Sequence, residues 1–238
     1  MSQASRTPGP AQPVGRPASG DPLLSRGEIE TLCAKAARGA GMTWGLAEEA
    51  GFAAGWLSAR GIDGPHALIA HLSWAQGLPW QDICPRVARG NWTARGGGVL
   101  CPVALGATLC DFCELPDATL GDHGLTVGPV SHPAILLPFL AAMAQRLGHP
   151  IDVSWPGGGV AIAPCGGIAG ALTGLVALDR AQLILNPGDE APDAAPPGLR
   201  RECSRETLDR LDALALKIAV PSSETSRADA GAGHGDND

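Results

Sequence analysis

The residue types with the most chemistry in reach are cysteine and histidine, and this chain has seven Cys and six His in 238 residues. Cys110 and Cys113 form a CxxC pair in LCDFCEL. Such a pair can hold zinc or cycle between thiols and disulfide. His123 and His132 follow, so a Cys2His2 set can be written down, but the two His are spaced too widely for the usual finger. The pair also sits in a helical, apolar stretch, and it reads as two small buried residues on one helix face. Cys165, in APCGGIAG, has no base near it in sequence and reads as a packed thiol. The glycine-rich turns ARGGGVLCP and APCGGIAG can present backbone N–H groups to an anion, with Arg95 adding charge. Neither is a P-loop or a dinucleotide fingerprint, and tight turns between strands are the plainer reading.

A charged set surrounds the first two helical stretches: Lys35, Arg38, Glu48, Glu49 and Arg60. A carboxylate near a lysine is raw material for acid–base catalysis. Helix ends that complement their own dipoles carry the same residue types. Within this set Lys35 and Glu49 are the candidate catalytic residues, and Arg38 and Glu48 the candidate ligand-binding residues. The chain ends in VPSSETSRADAGAGHGDND. There Ser222, Ser223, Thr225, Ser226 and Arg227 make a hydroxyl and guanidinium cluster able to hold a phosphate or carboxylate. Asp236, Asn237 and Asp238 offer hard oxygen ligands. Ser222, Arg227, Asp236 and Asp238 therefore join the ligand-binding candidates. Composition alone reads this tail as a solvated end.

The elements that must position these residues come from a chain that is 45% hydrophobic and only 17% charged, with 33 Gly, 21 Pro and no Tyr. Its core must be built from Leu, Val, Ile and Ala around a few fixed aromatic anchors. The net charge of −7 and the lack of a basic stripe argue against nucleic acid or an anionic membrane as partner. The first 22 residues have no apolar run, so the start does not read as a signal peptide, and with irregular cysteine spacing we expect the chain to be cytoplasmic with reduced thiols. Residues 154–178 carry no charge. Their prolines and glycines, and the alternation around them, favour a buried sheet over a membrane span.

Ser25 and Glu28 form a capping-box pattern ahead of a helix that Gly39 and Gly41 stop. Thr43 can cap a second helix, in which Ala47, Gly51 and Gly55 form a ridge without side chains that admits close packing. A third helix is predicted in PHALIAHLSWAQG, then a polar connection, then a short helix in PVALGATLCDFCEL. The second half reads as a strand at LTVGPV, a buried helix from Pro133 with a kink at Pro138, a β-hairpin in IDVSW–PGGG–VAIAP, and a strand at AQLILN. An acidic Pro-rich loop and an amphipathic helix capped by Ser204 follow. The pattern predicts an α+β fold: a helical N-terminal layer, then a mixed strand and helix portion with a hairpin. We expect residues 1–22 to be disordered, 23–220 to be a single domain, and 221–238 to be a tail able to dock on it.

KAARGAGMTWGLAEEAG resembles a family of bacterial proteins known only as a domain of unknown function, through Lys35 to Gly41 and Trp44 to Gly51. GPVSHPAILLPFL and the closing PSSETSR…GAG…DND also resemble it. The resemblance implies no activity, but it implies that the tail is part of the family's body, and the CxxC is not part of the pattern. Residues 39–68 more faintly resemble the opening of nicotinamide-dependent malate/lactate-type 2-hydroxyacid dehydrogenases, which implies His66 as acid–base residue and the glycine-rich turns facing the cofactor. Here Pro65 and Ala67 flank that His in place of the family's Ser and Gly.

The sequence therefore points to a protein that binds a small acidic ligand or a partner protein, with its cofactor unknown. The other reading is an enzyme on a small carboxylate (a lyase, isomerase or nicotinamide-dependent oxidoreductase), with Glu49 or Lys35 as base and Arg227 or Arg38 as carboxylate clamp.

Overall fold

The helical first half begins with a cap. In the structure, a computed structural model that describes residues 20–115, 120, 124–194, 197, 198 and 200–218, Glu28 donates its backbone N–H to Ser25 Oγ and its carboxylate accepts from the Ser25 backbone. This reciprocal pair starts α1 (Arg26–Gly39). Next come α2 (Trp44–Ala59) and α3 (Gly64–Trp74), the latter capped by Asp63, whose carboxylate accepts from the His66 N–H at 3.0 Å. Thr43 occupies the cap position of α2 but makes no side-chain cap bond.

The side-chain-free ridge of α2 does what its spacing predicts. A Cβ at Gly51 would run into the Glu30 carbonyl and Ala34 of α1, and one at Gly55 into the Glu30 side chain. Ten of the sixteen α2 residues are buried, so this helix is central rather than amphipathic.

The polar stretch after α3 is more structured than its composition suggests. It forms α4 (Trp80–Ile83), β2 (Pro85–Arg86) and β3 (Asn91–Ala94). Helix α5 (Pro102–Phe112) and strand β4 (Leu125–Ser131) follow. Pro133 opens a 3-10 turn, Pro133–Leu136, and α6 (Leu137–Leu147) begins after it. Pro138 thus lies in the first turn of α6, where its missing N–H costs no hydrogen bond, and does not kink a helix interior.

The hairpin is β5 (Ile151–Trp155) and β6 (Gly158–Ile162), joined by the two-residue turn Pro156–Gly157, tighter than the PGGG of the sequence reading. Then come β7 (Ile168–Gly170), α7 (Leu172–Val176) and β8 (Arg180–Pro187). Among the described residues seven strands form one mixed sheet in the order β2-β3-β4-β8-β5-β6-β7, with β3 and β4 parallel and the other neighbours antiparallel. Leu125, Val127, Val153, Val160, Leu183 and Leu185 point from it into the core, while Ile184 on the other face is 43% exposed.

A second, two-stranded ribbon closes the chain on itself. Strand β1 (Leu23–Ser25) pairs antiparallel with β9 (Arg200–Glu202), and α8 (Arg205–Ala215), capped by Ser204, packs on α1. The fold is α+β. No helix among the described residues is long and apolar enough to cross a membrane.

Candidate functional site

The end of α2 and the β6–β7 turn meet around Arg60. The guanidinium lies 3.5 Å over the Trp56 ring, donates from Nε to the Gly166 carbonyl at 3.2 Å, and from Nη1 to the Trp56 carbonyl at 3.5 Å. Gly166 has φ +80°, and its missing side chain leaves room for the Arg60 head, which a Cβ would meet. Strand β9 brings Arg200 and Arg201 to the same place, and Arg201 donates to the Gly61 carbonyl. These groups and Asp193 line a cleft of about 410 Å³ floored by Ser58, Ile168 and Leu172.

Among the described residues the ion pair present is Arg26–Glu30, so no carboxylate lies within pairing distance of Arg60, Arg200 or Arg201 there. Burial holds the Arg60 guanidinium below its ordinary range, and the nearby Arg26 adds repulsion. An anion entering the cleft relieves both costs. The guanidinium groups supply positive charge here, while the Gly166 N–H of the turn is spent on the Ala163 carbonyl at 2.8 Å. The other glycine-rich turn also uses N–H groups on carbonyls of the chain itself. Arg95 and Gly96 donate their N–H groups to the Cys84 and Asp82 carbonyls.

The predicted residues fall elsewhere. Lys35 is exposed and lines a groove of about 760 Å³ between α1 and α8, together with Glu28 and Asp212. Arg38 donates to the Met42 carbonyl and lies 5.4 Å over the Trp44 ring, with its Nε buried and unpartnered. Glu48 and Glu49 are exposed on α2. Glu49 is held above the usual carboxylate range by partial burial and by Asp111 and Glu48. None of these four lines the Arg60 cleft. Ser222, Arg227, Asp236 and Asp238 lie outside the described residues, as does His123. Cys165 is exposed and not packed, with its thiol 3.5 Å from the Pro192 carbonyl. His66 is exposed on the first turn of α3. Cys110 and Cys113 donate to the Phe139 and Cys110 carbonyls, and no metal-holding group of three or more His, Cys, Asp or Glu occurs among the described residues.

A second constellation went unseen in the sequence. His71 of α3 is fully buried. Its Nε2 is 3.3 Å from Cys101 Sγ, its Nδ1 is 3.2 Å from Ser131 Oγ, and Ser131 Oγ is 2.8 Å from His132 Nδ1. Cys101 is the N-cap residue of α5, and Ser131 ends β4. His71 stacks on Trp74 with centroids 5.6 Å apart. Burial, and secondarily the charge of His132, push the His71 imidazole down to about 3. Burial pushes the Cys101 thiol up to about 12, against the pull of the Ala104 and Val103 N–H groups. Both groups are thus neutral near pH 7. The four residues come from three separate segments of sequence, around residues 71, 101 and 131–132, so no local spacing reveals them. The Cys-Pro step at a helix start and the Ser-His-Pro step after a strand were the available signals.

Residues 24–99 match a family described as Protein of unknown function (DUF3726). This stretch holds the helix pair carrying Lys35 to Gly41 and Trp44 to Gly51, and it includes Arg60 and His71. No curated protein matches the chain.

Proposed function

We propose that this protein binds a small acidic molecule, one with two or more anionic oxygens, in the cleft between Arg60, Arg200 and Arg201. The observation that carries this reading is three guanidinium groups without a carboxylate partner among the described residues, gathered in one cleft of a chain whose net charge is −7. A cleft of about 410 Å³ suits a metabolite-sized ligand. Planar guanidinium groups match carboxylate and phosphate oxygens in pairs. The ligand class is the one the sequence suggests, at a place its charged helix ends do not mark. The thiols of Cys33, Cys84, Cys101, Cys110, Cys165 and Cys203, none of them in a disulfide, support a cytoplasmic setting for it.

The test is thermal unfolding with citrate or inorganic phosphate, at ionic strength held constant with sodium chloride. A ligand at ten times its Kd adds about 1.4 kcal/mol, which is a rise of roughly 3–6 °C for a chain of this size. The rise is expected to vanish in Arg200→Ala, whose side chain is exposed. A flat response to both probes, or an undiminished one in the variant, contradicts the reading.

A further inference from the structure

We infer that Cys101 is the nucleophile of a sealed thiol site, with His71 as its base, and that the electrophile it takes is a small uncharged hydroperoxide. A nucleophile, a base within hydrogen-bond reach and a third group orienting the base are the parts of an activated thiol. Here they are Cys101, His71 at 3.3 Å and Ser131 at 3.2 Å. One set of protons satisfies every member. The thiol donates to His71 Nε2, the Nδ1–H donates to Ser131 Oγ, and the Ser131 hydroxyl donates to His132 Nδ1.

A buried polar chain like this is costly to retain, and an apolar filling of equal shape would hold the core as well. Nor is it simply where the fold left a histidine. Residue 132 is kept at φ +41°, the left-handed region that a non-glycine residue occupies at a cost, and its N–H is fixed on the Asp179 carbonyl at 2.7 Å. The strained backbone places the fourth member of the chain.

The surroundings set the class of electrophile. Cys101 and His71 are fully buried and Ser131 is 1% exposed. Trp74, Trp80 and Ile83 pack around them. A charged reagent would lose its hydration on entry and a large one has no room. Hydrogen peroxide is neutral and close to water in size. The thiol is not ionised beforehand, so proton removal must accompany attack. As Sγ attacks one peroxide oxygen, His71 Nε2 takes the thiol proton. The O–O bond breaks, and the sulfur is oxidised by two electrons to the sulfenic acid. The departing oxygen, reduced, takes the proton from His71 and leaves as water. Ser131 is a positioning residue, holding the Nδ1–H while His71 carries the extra proton.

The chain contains its own control. Cys33 is equally buried, and the groups acting on it are Cys203 and Asp63, with no imidazole among them. The experiment exposes the full chain to hydrogen peroxide, then denatures it, alkylates the remaining thiols and counts them at each cysteine by mass spectrometry. Cys101 is expected to lose its thiol at least about tenfold faster than Cys33. His71→Gln is expected to bring Cys101 down to the Cys33 rate while exposed Cys165 keeps its own. Ser131→Ala is expected to slow Cys101 severalfold with Cys33 unmoved, whereas mere loosening of the core would speed both. Equal rates at Cys101 and Cys33 in the unaltered chain overturn the inference, whether or not the variants fold. So does a Cys101 rate unchanged in a folded His71→Gln.

Discussion

His71 makes stability depend on pH in a way that can be worked out. An unfolded histidine titrates near 6.5 and the folded one near 3. Between these values the unfolded chain binds a proton that the folded chain does not. Stability therefore falls as pH drops below about 6.5 and goes on falling toward about 3. The full term is roughly 5 kcal/mol, at about 1.36 kcal/mol per unit. Of this, about 1.6 kcal/mol is lost between pH 6.5 and 5.0, before most carboxylates titrate. His132, also held low by burial, adds to the loss with the same sign. Urea unfolding at half-unit steps over that range reads the slope, and a histidine-resolved NMR titration shows His71 neutral throughout. His71→Gln is expected to be less stable at pH 7 but flatter, keeping only the His132 part of the slope. If the two proteins lose stability in parallel from pH 6.5 to 5.0, the assignment of His71 as a sealed neutral base is wrong.

The helix contacts give further tests. Gly51→Ala is expected to cost about 1–3 kcal/mol, because the obstacle is the Glu30 backbone carbonyl, which cannot swing away. Gly45→Ala, in the same helix but with open space around it, is expected to be neutral or stabilising by up to about 1 kcal/mol. Both are read from denaturant midpoints, and equal effects would show that α1 and α2 do not approach as described. Ser25→Ala removes the acceptor of the Glu28 N–H and is expected to cost about 1 kcal/mol. An unchanged midpoint would show that the cap contributes nothing.

Elements marked by local chemistry were legible in the sequence. The capping box at Ser25 and Glu28, the Ser204 cap, the Ala47–Gly51–Gly55 ridge and the alternating strands of the hairpin each depend on neighbours within a few residues. What lay beyond reach was set by distant partners. Strand β9 exists because Arg200–Glu202 pairs with Leu23–Ser25, and nothing in RRE itself signals a strand. Its two arginines reach the cleft through that pairing, so Arg60 could be singled out in sequence but not its companions. Lys35, Arg38, Glu48 and Glu49 were prominent because charge stands out in a chain with few charges. In the structure Lys35, Glu48 and Glu49 lie exposed on α1 and α2, and Arg38 donates to the Met42 carbonyl, all away from the Arg60 cleft. His71, Cys101 and Ser131 looked like ordinary apolar-segment residues because only the packing of α3 against the starts of α5 and the end of β4 joins them.

The most direct measurement of the central claim is where a probe anion binds. Citrate titrated into isotopically labelled protein, followed by amide spectra, is expected to move Gly61, Gly166, Gly167 and Gly198, the glycines that line the Arg60 cleft, in one saturating transition. Those shifts should be lost in Arg200→Ala. Movement centred instead on Lys35 and Asp212 in the groove between α1 and α8, or no saturating shift at all, would contradict the assignment of the arginine cleft as the binding site.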